Sequence, residues 1–241
     1  MQIAEGQCDH QGWNIYGGVR QNTLTEMEIT LAARPAPPAV AYSASGEQSS
    51  AIGYVLGAAY EIPDIALRAA ITYSSGTSHD VVITESGAGV STTNIKMPQS
   101  VNVELQTGIA ADTLLTASMR WVDWSETVID PAGHRAQRLT ALQTYSEDTY
   151  TWSLGVGRRF SESFAGSATV GWERPQGGNS GDLSPTDGNV SLALGVSYTM
   201  DSMEVRGGVR YVKLGDATTA TTGTFTNNSV VALGMSVGFS F

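Results

Sequence analysis

Residues 228–241 read Asn-Ser-Val-Val-Ala-Leu-Gly-Met-Ser-Val-Gly-Phe-Ser-Phe. Taken in steps of two, Val231, Leu233, Met235, Val237, Phe239 and Phe241 fall on one side, and Ala232, Gly234, Ser236, Gly238 and Ser240 fall on the other. A period of two is that of a β-strand. A strand in a water-soluble protein turns such an apolar side toward a packed core, yet the second side here holds only Gly, Ser and Ala. The pattern suits a strand with its large side chains in lipid and its small ones toward a lumen. The eleven residues Val231–Phe241, at about 3.3 Å each and tilted by about 45°, rise roughly 25 Å, the height of the apolar band on a membrane-spanning barrel.

The same alternation recurs along the chain. Outward-facing sets are expected at Trp13, Ile15, Gly17 and Val19, with a continuation through Met27, Ile29 and Leu31 before the prolines of 34–38. Further sets are Ile52 to Tyr60, Ile65 to Tyr73, Val101 to Ile109, Leu115 to Trp121, Tyr150 to Val156, Phe164 to Trp172, Val190 to Tyr198 and Met203 to Tyr211. With the closing segment these predict ten strands. Short connections, such as Glu61 to Asp64, Ala111-Asp112, Ser161 to Ser163 and Asp201-Ser202, alternate with long polar ones at 74–94, 126–147, 175–188 and 215–227. That alternation marks a transmembrane barrel. Aromatic residues then sort into two girdles: Trp13, Tyr60, Phe160, Phe164, Tyr198 and Phe241 at the short-turn rim, and Tyr54, Tyr73, Trp121, Trp152, Trp172 and Tyr211 toward the long loops. A soluble β-sandwich, whose core faces also alternate, is the competing fold. The expected division is an irregular segment at 1–12 and an all-β, antiparallel barrel over 13–241.

Composition narrows the function. No apolar run approaches the length of a transmembrane helix. The net charge of −10 argues against nucleic acid, since no basic patch is present to neutralise phosphates. Cys8 has no partner for an internal disulfide, and with His10 it supplies only two metal ligands, so neither a metal nor another cofactor is expected. Met1 to Gly12 lacks the apolar stretch of a signal peptide, so such a segment is expected to have been removed or to lie upstream.

Six of the 13 basic residues, Arg20, Arg68, Arg120, Arg159, Arg206 and Arg210, fall on lumen faces, and Lys96 is expected to join them. Glu104, Glu173 and Glu204 lie opposite. Two readings stand. The charges pair across a wet interior and stiffen it, or Arg68, Arg120, Arg159, Arg206 and Arg210 include donors for an anionic headgroup such as a carboxylate. For catalysis, His10, His79 and His134 are the only histidines, all expected in terminal or loop segments. A site built from His79, Asp80 and a serine lacks any nucleophile motif, so no enzyme is expected.

The segment Tyr54-Val55-Leu56-Gly57-Ala58-Ala59-Tyr60-Glu61-Ile62-Pro63-Asp64-Ile65-Ala66-Leu67-Arg68-Ala69-Ala70-Ile71-Thr72-Tyr73 resembles the FadL/TodX family of outer-membrane transporters for long-chain fatty acids and other hydrophobic compounds. Met97-Pro98-Gln99-Ser100, the run Leu105 to Ala110, Arg120-Trp121-Val122-Asp123-Trp124-Ser125 and the closing strand carry the resemblance further. It implies a 14-stranded barrel closed by an N-terminal hatch, of which the ten strands here correspond to the last ten. It also implies membrane lipid and hydrophobic small molecules such as fatty acids as partners. The terminal Phe241 resembles the signal by which barrel-insertion machinery recognises a C-terminal strand. A structural or adhesive barrel working through its external loops is the alternative function.

Overall fold

In the computed structural model the described residues are 12–31, 41–177, 179–180, 186–219 and 223–239. Expectations for Cys8, His10, the prolines of 34–38 and Phe241 lie outside them. Ten strands form one sheet: β1 (Gly12–Leu24), β2 (Ser49–Ile62), β3 (Leu67–Ser74), β4 (Ser100–Ala110), β5 (Thr113–Val122), β6 (Thr149–Arg159), β7 (Phe164–Glu173), β8 (Asn189–Met200), β9 (Met203–Leu214) and β10 (Ser229–Phe239). Each pairs antiparallel with the next, so the sheet is a meander in chain order. No ladder among the described residues joins β1 to β10, and the sheet is open.

The predicted phase follows the ladders, except at Ile109, where a register shift between Gly108 and Ala110 interrupts the alternation. Ile15 is 87% exposed, Leu233 82% and Met235 80%, and large apolar side chains pair with one another across strands on that same side, as Trp152 does with Trp172 and Leu154 with Val170. Such side chains are worth about 1.5–3 kcal/mol each when moved from water into an apolar phase, so this face is built for hydrocarbon. The girdles form as contacts between rings. Trp13 and Tyr60 lie 5.0 Å apart at the short-turn end, and Tyr54 and Tyr73 5.8 Å apart near the long loops. The two segments 97–100 and 120–125, singled out above, meet at the long-loop end: Gln99 Nε2 donates to Asp123 Oδ2 at 2.8 Å, and the Tyr73 hydroxyl donates to Gln99 Oε1 at 2.7 Å.

Several expectations need correction. The first strand does not continue through Leu31. It stops at Leu24, and Met27–Leu31 belongs to a separate four-stranded sheet with Tyr42–Gly46, Thr77–Glu85 and Gly89–Met97. The polar stretch 74–94 is therefore mostly a β-hairpin rather than a loop. Val81 and Ile83, on one side of it, serve a small core of Tyr42, Ala44, Val81, Ile83 and Ile95 outside the membrane. Lys96 lies on this sheet, off the lumen, with Nζ 3.3 Å from Glu126. Ile65 precedes β3, in a single 3-10 turn, Pro63–Ile65. His79 is a buried strand residue and His134 lies on the short helix Ala132–Arg138. Because successive side chains alternate, His79 is 1% exposed while Asp80 faces solvent and accepts from Asn94 at 2.7 Å, which separates the two residues considered for a catalytic site.

Candidate ligand-binding face of the sheet

The face opposite the lipid side is made of small and polar residues because strand alternation places every second residue there. Register arranges them in rows. Near the short turns, Arg159 of β6 stands opposite Ala165 of β7, Ala165 opposite Ser197 of β8, Ser197 opposite Arg206 of β9, and Arg206 opposite Ser236 of β10. The adjacent row is Gly157, Ser167, Gly195, Gly208 and Gly234. A row almost without side chains beside a row carrying two long ones leaves a hollow of about 1060 Å³, bounded by Leu114, Arg159, Ser167 and Arg206 and by the turns at 63–66 and 110–113.

Three of the lumen-face arginines are held by carboxylates. Arg159 donates from Nε to Asp112 Oδ1 at 2.9 Å, with a second contact from its terminal nitrogen. Arg206 holds Glu204 in a two-pronged pair at 2.9 and 2.8 Å. Arg68 pairs with Glu61 at 3.1 Å and approaches Glu104 at 3.9 Å. These side chains are wet, so each pair contributes little stability, but each fixes where an arginine points. Arg120 and Arg210 differ: Arg120 donates to the neutral Asn102 Oδ1 at 2.9 Å, and Arg210 to the Ser191 hydroxyl at 3.1 Å. Neither has a carboxylate within ion-pair distance among the described residues.

Of the five arginines singled out from sequence, the structure brings only Arg159 and Arg206 to one hollow. Arg120 lies toward the long-loop end of β5, and Arg210 reaches diagonally over β8 so that its guanidinium lies 3.8 Å from where a side chain on Gly171 would begin. Glu173 faces Thr151, accepting from its hydroxyl at 3.2 Å. Arg20 donates to the Ser75 carbonyl at 2.7 Å. Sequence reasoning missed Asp112 as the partner of Arg159, although its place in a two-residue turn with φ of 56° marks it as a residue chosen for that turn. It also missed Tyr16, whose hydroxyl meets Thr72 Oγ1 across β2.

An antiparallel meander with large apolar side chains on one face, small and charged ones on the other, and short turns at one end defines a transmembrane β-barrel. Its particular fold is that of the FadL-type barrels. A Pseudomonas aeruginosa FadL homologue superposes with a TM-score of 0.64 at 12% identity, covering 95% of this chain and 62% of the other. The Pseudomonas putida toluene transporter TodX gives 0.60 at 12% identity, with 95% and 66% covered. The monoaromatic hydrocarbon channel CymD gives 0.59 at 14%, with 97% and 70% covered. The chain thus spans roughly two thirds of the length of these proteins, 62% for the first. No protein-family model matches the chain, and no curated protein matches it.

Proposed function

We propose that the chain is the whole or a part of an outer-membrane transporter for hydrophobic small molecules, such as long-chain fatty acids or aromatic hydrocarbons. The fold supports this reading, and so do the solutes named for two of the similar structures, toluene and monoaromatic hydrocarbons. The observation that carries it is the hollow beside Arg159 and Arg206. Arg159 and Arg206 are already matched by Asp112 and Glu204, and much of the floor is glycine backbone, so these two arginines are not free to trap an ionised solute and an apolar one can pass. The test is uptake into liposomes carrying the protein, with toluene, a labelled fatty acid and a hydrophilic sugar of similar mass. Uptake of the first two well above the sugar is expected; equal rates for all three would reduce the protein to a nonselective pore. Insertion machinery recognising β10 belongs to the same proposal, and truncation at the C-terminal end of that strand should lower membrane-inserted yield more than an equal cut in a loop.

A second reading, a structural or adhesive barrel, is favoured by the four-stranded sheet outside the membrane, which has its own core and is too ordered to be a mere connection. Replacing residues 77–97 by a short turn separates the two readings. Loss of surface attachment with solute uptake intact supports adhesion; the reverse supports transport.

A further inference from the structure

The lipid-facing side carries a second hollow, of about 550 Å³ and almost wholly apolar, crossing β4 to β8. Its origin is Ala117. On β5 this small side chain stands between Leu105 and Leu154 as cross-strand neighbours, so the surface dips where the rows around it are large. Met119, Trp152, Val170 and Trp172 wall the dip, and Val190 closes it toward the long loops. Because this face is the one turned to hydrocarbon, a dip of this shape is filled by an acyl chain.

At its upper edge the chemistry changes. Lys213 of β9 is the cross-strand partner of Val190 and is exposed on the same side. Arg174 continues the alternation two residues after Trp172, its N–H donating to the Tyr150 carbonyl at 3.2 Å, and it too is exposed. Neither cation has an ion pair among the described residues. Their backbones stand two strand spacings apart across the sheet and two residues apart along it, about 12 Å in all, where the strands end and the long loops begin, and so at the level of lipid headgroups. Nearby carboxylates are occupied elsewhere: Glu173 turns inward to Thr151, and Asp187 accepts from the backbone N–H groups of Gln176 and Gly177.

We propose that this rim and hollow form a binding site for one phosphate-bearing membrane lipid. Arg174 and Lys213 hold its phosphate, and an acyl chain runs down past Trp172 and Trp152 to lie over Ala117. The proposal rests on the membrane-spanning fold and is independent of which solute the lumen face carries.

Native mass spectrometry of the full chain released from detergent micelles tests it, with phosphatidylglycerol and phosphatidylcholine of identical acyl chains titrated in parallel. Two basic groups at a headgroup predict a preference for the anionic lipid on the order of tenfold. The double substitution Arg174→Gln, Lys213→Gln should bring that ratio close to one, both sites being exposed rim positions with no part in the packing. Ala117→Leu, which fills the dip, should weaken both lipids while leaving the ratio unchanged. Inorganic phosphate should not displace the bound lipid; displacement would show that the headgroup alone is held and that the hollow plays no part. Equal binding of the two lipids by the unsubstituted chain, or a preference that survives the double substitution, would overturn the proposal.

Discussion

Tyr16 lies flat over Gly57: a Cβ added to the glycine would come within 2.2 Å of Tyr16 Cζ. The aromatic ring on β1 thereby covers backbone of β2 and reaches Thr72 on β3, tying three strands together on the lumen side. Gly57→Ala should force the ring away and break the hydroxyl contact, lowering stability in detergent or lipid by about 1–2 kcal/mol. In the Tyr16→Ala background the same change should have almost no effect. A full penalty in both backgrounds would show that the ring is not what makes Gly57 necessary.

Acidification should loosen the structure outside the membrane first. Glu85 is 3% exposed, and it accepts from Gly133 N at 2.8 Å, the Tyr42 hydroxyl at 2.8 Å, His134 N at 2.7 Å and the Ser91 hydroxyl at 3.3 Å. Burial by itself pushes this carboxyl up, but the four donors together outweigh burial and hold it below the ordinary glutamate value. A carboxyl lowered by folding contributes stability that is fully present above its unfolded value, about 4.3, and that is lost as pH falls through the folded one. Hydrogen exchange over 132–138 should therefore accelerate below about pH 4. Glu85→Gln should remove that pH dependence and weaken the helix attachment by about 1–3 kcal/mol at neutral pH. Protection that is flat down to pH 2 in the unsubstituted chain would contradict this.

The two faces of β10 should respond unequally to charge. Leu233 is 82% exposed on the lipid side, and Leu233→Arg should cost about 2–4 kcal/mol in folding into bilayers if it lies near the midplane. A side chain at Gly234 would meet open space on the lumen side, so Gly234→Arg should cost far less. Equal costs from denaturant titrations in lipid vesicles would mean that the phase of the strand is wrong.

Among the lumen arginines, the structure separates Arg210 from Arg206. Arg206 is committed to Glu204, whereas Arg210 holds only the Ser191 hydroxyl. Arg210→Gln should slow uptake of a labelled fatty acid on the order of tenfold, the loss of one charge-assisted contact, and leave toluene uptake within about twofold. Arg206→Gln leaves Glu204 unpaired and should also disfavour carboxylates over hydrocarbons, through repulsion. Parallel losses for both solutes in both variants would remove either arginine from contact with the solute.

The membrane part of the fold was legible because a period of two in side-chain size is imposed by the solvent on each face. Val231 to Phe239 can be read without knowing any neighbour. The extramembrane sheet was not, because Thr77, His79 and Glu85 are polar residues buried by partners distant in sequence. Thr77 receives Asn22 at 3.2 Å, and Glu85 is satisfied by Tyr42 and by the helix start at 133–134. Little that is local announces a buried glutamate three of whose four donors lie about 45 residues away, on either side. For the same reason the sequence could place six arginines on the lumen face but not tell Arg159, held by a turn residue on the preceding hairpin, from Arg210, held by a single hydroxyl. Face follows from parity; partner follows from register.

The hairpin at 77–97 has a consequence for the timing of assembly. Pairing β3 with β4 closes a connection of about 25 residues, but all of it except the links Ser75-Gly76 and Pro98-Gln99 is a hairpin that pairs with itself. Closing about four loose residues rather than about 25 lowers the entropic penalty by roughly 1.5 kcal/mol. If it forms first, the hairpin outside the membrane serves as a clasp, and the two halves of the meander can zip together almost as fast as strands joined by a tight turn.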